Sequence, residues 1–73
     1  DRDARFEFVM LGLRTVYGVN AGEYRKTFGS DWKQDFSAAY GRTRKYLQEE
    51  GDVTRIKDEY LFVQNQILSE YAN

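Results

Sequence analysis

The hydrophobic positions of the chain fall into helical stripes separated by glycines. Between about Ala4 and Val16, Phe6, Met10, Leu13 and Tyr17 recur at the spacing of one helix face, and Phe8, Val9 and Leu11 widen that apolar arc well past a single stripe. The pattern predicts a first helix buried on more than one side. Gly12 in its middle costs about 1 kcal/mol relative to alanine, so another element is expected to pack closely on the backbone there. Tyr17-Gly18-Val19 interrupts the period. Asn20 with Glu23 three residues on predicts an N-cap, Tyr24 and Phe28 at i, i+4 predict a short second helix, and Gly29 supplies a left-handed terminator. Ser30 or Asp31 then caps a third helix. Its stripe of Trp32, Phe36, Ala39, Tyr40, Thr43 and Leu47 runs on to Gly51, with Lys33, Gln34, Arg42, Lys45 and Glu49 on a solvated face opposite.

Beyond Gly51 two readings compete. In the first, Val53 to Ile56 and Tyr60 to Phe62 are strands of a hairpin turning at Lys57-Asp58-Glu59, the wing of a winged helix, and a short helix closes the chain. In the second, Val53 to Ile56 is a lone extended segment and the last helix begins near Asp58, because Tyr60, Val63, Ile67 and Tyr71 also fit helical spacing. The density of β-branched and aromatic residues favours the hairpin. Both readings place Ile67, Leu68 and Tyr71 on a terminal helix that closes the core. The expected fold is therefore mostly α with a small β-hairpin, winged-helix-like, with about four helices.

Composition narrows the chemistry. The 73 residues include one tryptophan, six tyrosines and five phenylalanines, but no proline, cysteine or histidine. A thiolate nucleophile, a serine–histidine pair, cysteine ligation of an iron–sulfur cluster and the usual zinc sets are all ruled out, so the chain is not expected to be an enzyme by itself. With no disulfide or metal staple, a domain this small depends on close packing or on neighbouring domains, and scaling with mass predicts a folded surface of ~4,700 Å². It is expected to fold without metal or cofactor. A net charge of −1 with pI near 5.3 offers no basic footprint for nucleic acid. The longest unbroken apolar run, Phe8 to Leu11, is far short of a membrane span. A cytoplasmic location is expected, and the start at Asp1 suggests a piece of a larger protein.

Glu7-Phe8-Val9-Met10-Leu11-Gly12-Leu13-Arg14, followed by Gly18-Val19, Phe28-Gly29, Leu47 with Glu50-Gly51, and Asn65-Gln66-Ile67-Leu68, forms a recognisable series. Over nearly the whole chain it resembles the C-terminal domain of the oxygen-independent coproporphyrinogen III oxidase-like radical-SAM family (HemN/HemW), and more closely the haem-chaperone branch. One stretch departs from the family. Its members carry a longer segment after the E-G, a two-stranded wing and then L-T-x-x-G. Here a gapless match lays Ile56-Lys57-Asp58-Glu59-Tyr60 on that motif, with Tyr60 in place of glycine.

The resemblance implies a parent whose N-terminal barrel holds a [4Fe–4S] cluster through C-x-x-x-C-x-x-C, with S-adenosylmethionine beside it and haem or another tetrapyrrole as substrate or cargo. The present chain would be the accessory domain that packs on the barrel's open side and helps cover the substrate or haem region, without radical chemistry of its own. The choice between oxidase and chaperone lies in barrel residues. The candidate interdomain contacts are Phe8, Val9, Leu11, Arg14 and Trp32. Arg14 could pair with a carboxylate of a porphyrin or of the barrel, or form an intradomain salt bridge at the helix C-terminus, where a cation is favourable. Trp32 could rest on a porphyrin face or partner domain, or pack against the second helix. Some of Phe8, Val9 and Leu11 are expected to remain exposed. Met10 reads as core filler.

The runner-up is a stand-alone winged-helix interaction or DNA-binding module, with Arg42, Arg44 and Lys45, backed by Tyr46, imitating a recognition helix. Glu49, Glu50 and Asp52 follow at once, and favour a solvated face. An upstream C-x-x-x-C-x-x-C in the full-length product separates the two readings.

Overall fold

A computed structural model describes residues 2–72. Helix α1 (Arg2–Leu13) leads through a turn into the short strand β1 (Val19–Asn20), followed by α2 (Ala21–Phe28), α3 (Trp32–Asp35) and α4 (Ser37–Thr43). A 3-10 turn (Arg44–Tyr46) passes into β2 (Leu47–Glu50) and β3 (Val53–Ile56), and a 3-10 helix (Asp58–Val63) runs into α5 (Gln64–Ala72). The fold is mostly α with a small antiparallel sheet, in the order β1-β3-β2. The accessible surface of 4784 Å² agrees with the mass scaling.

Local chemistry explains the helix ends. The α1 helix stops at Leu13, not at Val16. Thr15 turns back with both its N–H and its hydroxyl onto the Gly12 carbonyl, each at 3.2 Å, which occupies the acceptor that a further helical turn would need. Tyr17, expected on the buried stripe, is consequently 81% exposed. The close approach expected at Gly12 is present: a Cβ there would meet Val19 Cγ2 at 2.7 Å and the Gly18 carbonyl oxygen at 2.8 Å, so β1 crosses directly on the helix. Asn20 caps α2 by accepting from the Glu23 N–H at 2.9 Å, Gly29 ends it in the left-handed conformation, and Asp31 caps α3 by accepting from the Lys33 N–H.

The third helix is not continuous. It breaks at Phe36 (φ −120°, ψ 38°), where Asp35 accepts from the hydroxyls of Tyr24 and Ser30 at 2.7 and 2.6 Å while the Phe36 ring packs 6.1 Å from Tyr71. Leu47, expected at its end, lies instead on β2, and Glu49 is met there by Lys33 and the Tyr40 hydroxyl.

The hairpin exists, but neither reading located it. Leu47↔Ile56, Gln48↔Arg55, Glu49↔Thr54 and Glu50↔Val53 pair, and Gly51-Asp52 forms the two-residue connection. Gly51 has φ +63° at the first central position, where a type II′ turn takes glycine. Val53–Ile56 is thus the central strand and not a lone segment, while Tyr60–Phe62 is helical and not its partner. Tyr60 serves a different purpose: its ring stands edge-on to Tyr46 at 4.9 Å and holds the 3-10 helix against the sheet's approach.

The core unites all these elements. Val9, Met10 and Leu13 of α1 meet Val19, Leu47 and Ile56 of the sheet and Ile67 and Leu68 of α5, with Trp32, Ala39 and Tyr71 at the other end. Tyr71 shares a 2.7 Å hydrogen bond with buried Thr43, and burial pushes its hydroxyl up to about 12.

Asp35 is the polar clamp at the α2–α3 corner. Hydrogen bonds from Ser30 and then Tyr24 hold its carboxyl below the usual range, so its stabilisation is present above the ordinary aspartate pKa and is lost as pH falls through the lower folded value. Asp35→Asn is expected to cost about 1–2 kcal/mol at neutral pH, since bonds to a charged acceptor are the stronger class. In urea melts across pH, the gap between the two proteins should narrow as pH falls below the ordinary aspartate value of about 3.9. A gap that does not narrow at all in acid would mean that the charge of Asp35 contributes nothing.

Candidate interdomain surface

The turn that ends α1 and the 3-10 helix that precedes α5 come together at one place. Gln64 donates from its side-chain amide to the Leu13 carbonyl at 3.2 Å, fastening the start of α5 to the end of α1. Between the two segments lies a groove of about 230 Å³, lined by Arg14, Val16, Ile56, Asp58 and Leu61 among others. A second groove of about 200 Å³ opens on the other side of Arg14, lined by Phe6, Glu7, Met10 and Leu11. Arg14 is the shared wall. A third, more open groove takes Leu11 and Phe8 onward to Gly18 and Asn20.

The large apolar side chains left exposed among the described residues are Leu11, Val16, Tyr17, Leu61 and Phe62. All five come from the second half of α1, its terminal turn, and the 3-10 helix. Phe62 is 85% exposed, an unusual environment for phenylalanine on a domain whose core holds so many other aromatics. Their exposure follows from the local backbone. The Thr15 turn carries Val16 and Tyr17 away from the helix stripe, and the 3-10 helix buries Tyr60 and Val63 partly while leaving Leu61 and Phe62 outward.

Set against this surface, the candidates from sequence divide. Leu11 and Arg14 are exposed on it, and Phe8 is half-buried at its margin, its ring edge-on to Tyr24 at 5.5 Å and to Phe28 at 5.8 Å. Val9 and Trp32 do not belong to it. Both are 0% exposed: Val9 points to the core from the middle of α1, and Trp32 is enclosed against Tyr40 and Tyr71 at 5.6 and 6.5 Å. Neither presents surface to another domain, because an arc wider than one face contains positions that point inward. Met10 is in the core. Arg14 has no ion-pair partner among the described side chains; the pairs there join Arg5 to Asp35, Lys33 to Glu49, Arg42 to Glu70, and Arg55 to Glu50 and Asp58.

Val16, Tyr17, Leu61 and Phe62 were not among the sequence candidates. A signal for the first two was present: apolar residues immediately before a glycine, in a segment where Thr15 can cap the helix. Arg42, Arg44 and Lys45 are exposed; Arg42 is paired with Glu70, and Lys45 lies over the Tyr46 ring at 5.2 Å.

No group of three or more histidine, cysteine, aspartate or glutamate side chains is placed to hold a metal ion among the described residues, and no described helix is long and apolar enough to cross a membrane. With no cysteine in the chain, a thiolate-ligated iron–sulfur cluster does not fit here. No curated protein and no solved structure matches the chain. The family model of the HemN C-terminal domain matches residues 1–62, from α1 through the hairpin to the exposed end of the 3-10 helix. That stretch contains every exposed apolar side chain of the surface, and α5 completes the core beyond it. By this match over most of its length, the chain belongs to the HemN C-terminal domain family.

Proposed function

We propose that the chain, taken whole as one domain, is the non-catalytic accessory domain of an oxygen-independent coproporphyrinogen III oxidase-like radical-SAM protein of the cytoplasm, on the haem-chaperone branch. It packs on the N-terminal barrel of the same polypeptide and helps cover the substrate or haem region, with tetrapyrrole chemistry, S-adenosylmethionine and the cluster left to the barrel. The observation that carries this reading is the gathering of Leu11, Val16 and Leu61 in the grooves on either side of Arg14, with Tyr17 and Phe62 exposed on the same two segments. Contiguous apolar surface on a small domain marks a place that another surface covers. The family membership supplies the kind of neighbour.

Hydroxyl-radical footprinting of the intact two-domain protein tests it. Tyr17 and Phe62, open in the domain by itself, are expected to label several-fold more slowly in the intact protein than in the domain released by proteolysis, because an interface core excludes water. Equal labelling in both would place the barrel contact elsewhere.

A further inference from the structure

We propose that the barrel meets this surface with an aspartate or glutamate side chain set among apolar groups, and that Arg14 is the residue that receives it. The inference rests on the docking proposed above and names the chemistry of the partner surface. Arg14 separates the two grooves, with Leu11 and Met10 on one side and Val16 and Leu61 on the other. A domain seated on those apolar side chains removes water from the guanidinium between them. A guanidinium covered without a partner is strongly unfavourable, whereas one met by a carboxylate in fork geometry is not.

This chain does not supply that carboxylate. Glu7 lines the groove beside Leu11 and Met10 and forms no ion pair with Arg14. Asp58 lines the groove beside Val16 and Leu61, and its Oδ1 accepts from Arg55 Nη1 at 3.0 Å, while Glu50 faces the same Arg55 guanidinium at 3.5 Å. The complement to Arg14 must therefore come from the covering surface. Its source is a protein side chain of the barrel, not a tetrapyrrole propionate.

The test uses the full-length two-domain protein and reads the rate of protease cleavage between the domains, which follows the population of the undocked form. Val16→Ser with Leu61→Ser probes the docking itself, and Arg14→Glu and Arg14→Gln probe the charge. These positions are exposed or partly exposed, and circular-dichroism melts of each variant confirm that the domain remains folded. Arg14→Glu is expected to raise cleavage by about tenfold or more, and Arg14→Gln by less, since an opposed charge adds repulsion to the lost pair. Carbodiimide treatment of the Arg14→Lys variant, followed by peptide mass spectrometry, should join position 14 to an acidic residue of the barrel by an amide bond.

If the apolar variants loosen the domain but Arg14→Glu cleaves like the wild type, or the cross-link reaches only Glu7 or Asp58, the docking survives and the carboxylate partner is overturned. If no variant loosens the domain, both fall. An Arg14→Glu effect that appears only after haem or porphyrin is added would assign the carboxylate to the tetrapyrrole and overturn the proposal as well.

Discussion

Trp32→Ala is expected to remove about 3–5 kcal/mol of stability, the range for deleting a large buried aromatic side chain. Trp32 is wholly enclosed, at the junction of the Asp31-capped α3 with Tyr40 and Tyr71, so its removal leaves a void that three elements would have to collapse to fill. For a chain of this length total stability is on the order of 4–11 kcal/mol, and the variant would lose a large share of it. Its indole Nε1 is buried without a hydrogen-bond partner among the described residues. Trp32→Phe therefore deletes an unsatisfied donor along with apolar area, and should be markedly milder than Trp32→Ala. Because Trp32 is the sole tryptophan, urea unfolding has to be followed by circular dichroism instead of indole fluorescence. A Trp32→Ala loss below about 1 kcal/mol would contradict a packed role for the indole.

Gly18→Ala is expected to cost about 2–4 kcal/mol, from two causes of the same sign. Gly18 has φ +74°, a conformation that alanine resists, and a Cβ there would fall 2.6 Å from the Thr54 carbonyl oxygen and 2.7 Å from Val53 Cγ1. The clash is with backbone of the central strand, which cannot swing aside as a side chain can. Relief would require β1 to move off β3 and give up the Val19↔Thr54 pairing, together with the seat of Val19 on Gly12. Gly51→Ala supplies the comparison. It carries a similar φ of +63° with nothing within 4 Å, so it should show the backbone cost of about 1 kcal/mol and no more. Equal midpoint shifts for the two variants in thermal melts would refute the close contact between the α1 turn and β3.

The first two helices and the start of the third were legible because their causes are local. Apolar spacing in α1, the Asn20 cap with its bond to Glu23, the Gly29 terminator and the Asp31 cap each depend on residues a turn apart, and each appears where the chain predicts it. The dense contact at Gly12 was also legible, since an unforced glycine in a helix of apolar residues implies something pressed against it. The family is carried by the same local features.

The sheet was not legible in this way. Leu47 stands four residues after Thr43 and fits a helix as well as a strand, and strands of two to four residues show too little alternation to betray themselves. Gly51-Asp52 was a usable hairpin signal, but its meaning depends on treating Leu47–Glu50 as extended. What makes it extended is pairing with Val53–Ile56, which in turn is held by β1 from the other end of the chain. The surface divides along the same line. Apolar excess in α1 foretold that some of its residues would face outward. Which ones did so depended on the direction in which the other elements packed: Val9 is enclosed in the core, Phe8 is covered by Tyr24 and Phe28, and Leu11 is left open. The sequence by itself determined α1 and α2, the Asn20 and Asp31 caps and the family, because those rest on contacts within one or two turns. Tertiary structure decided the sheet and the outward face around Arg14, because both rest on segments some forty residues apart meeting at one place, as Arg14 and Val16 meet Arg55, Asp58 and Leu61.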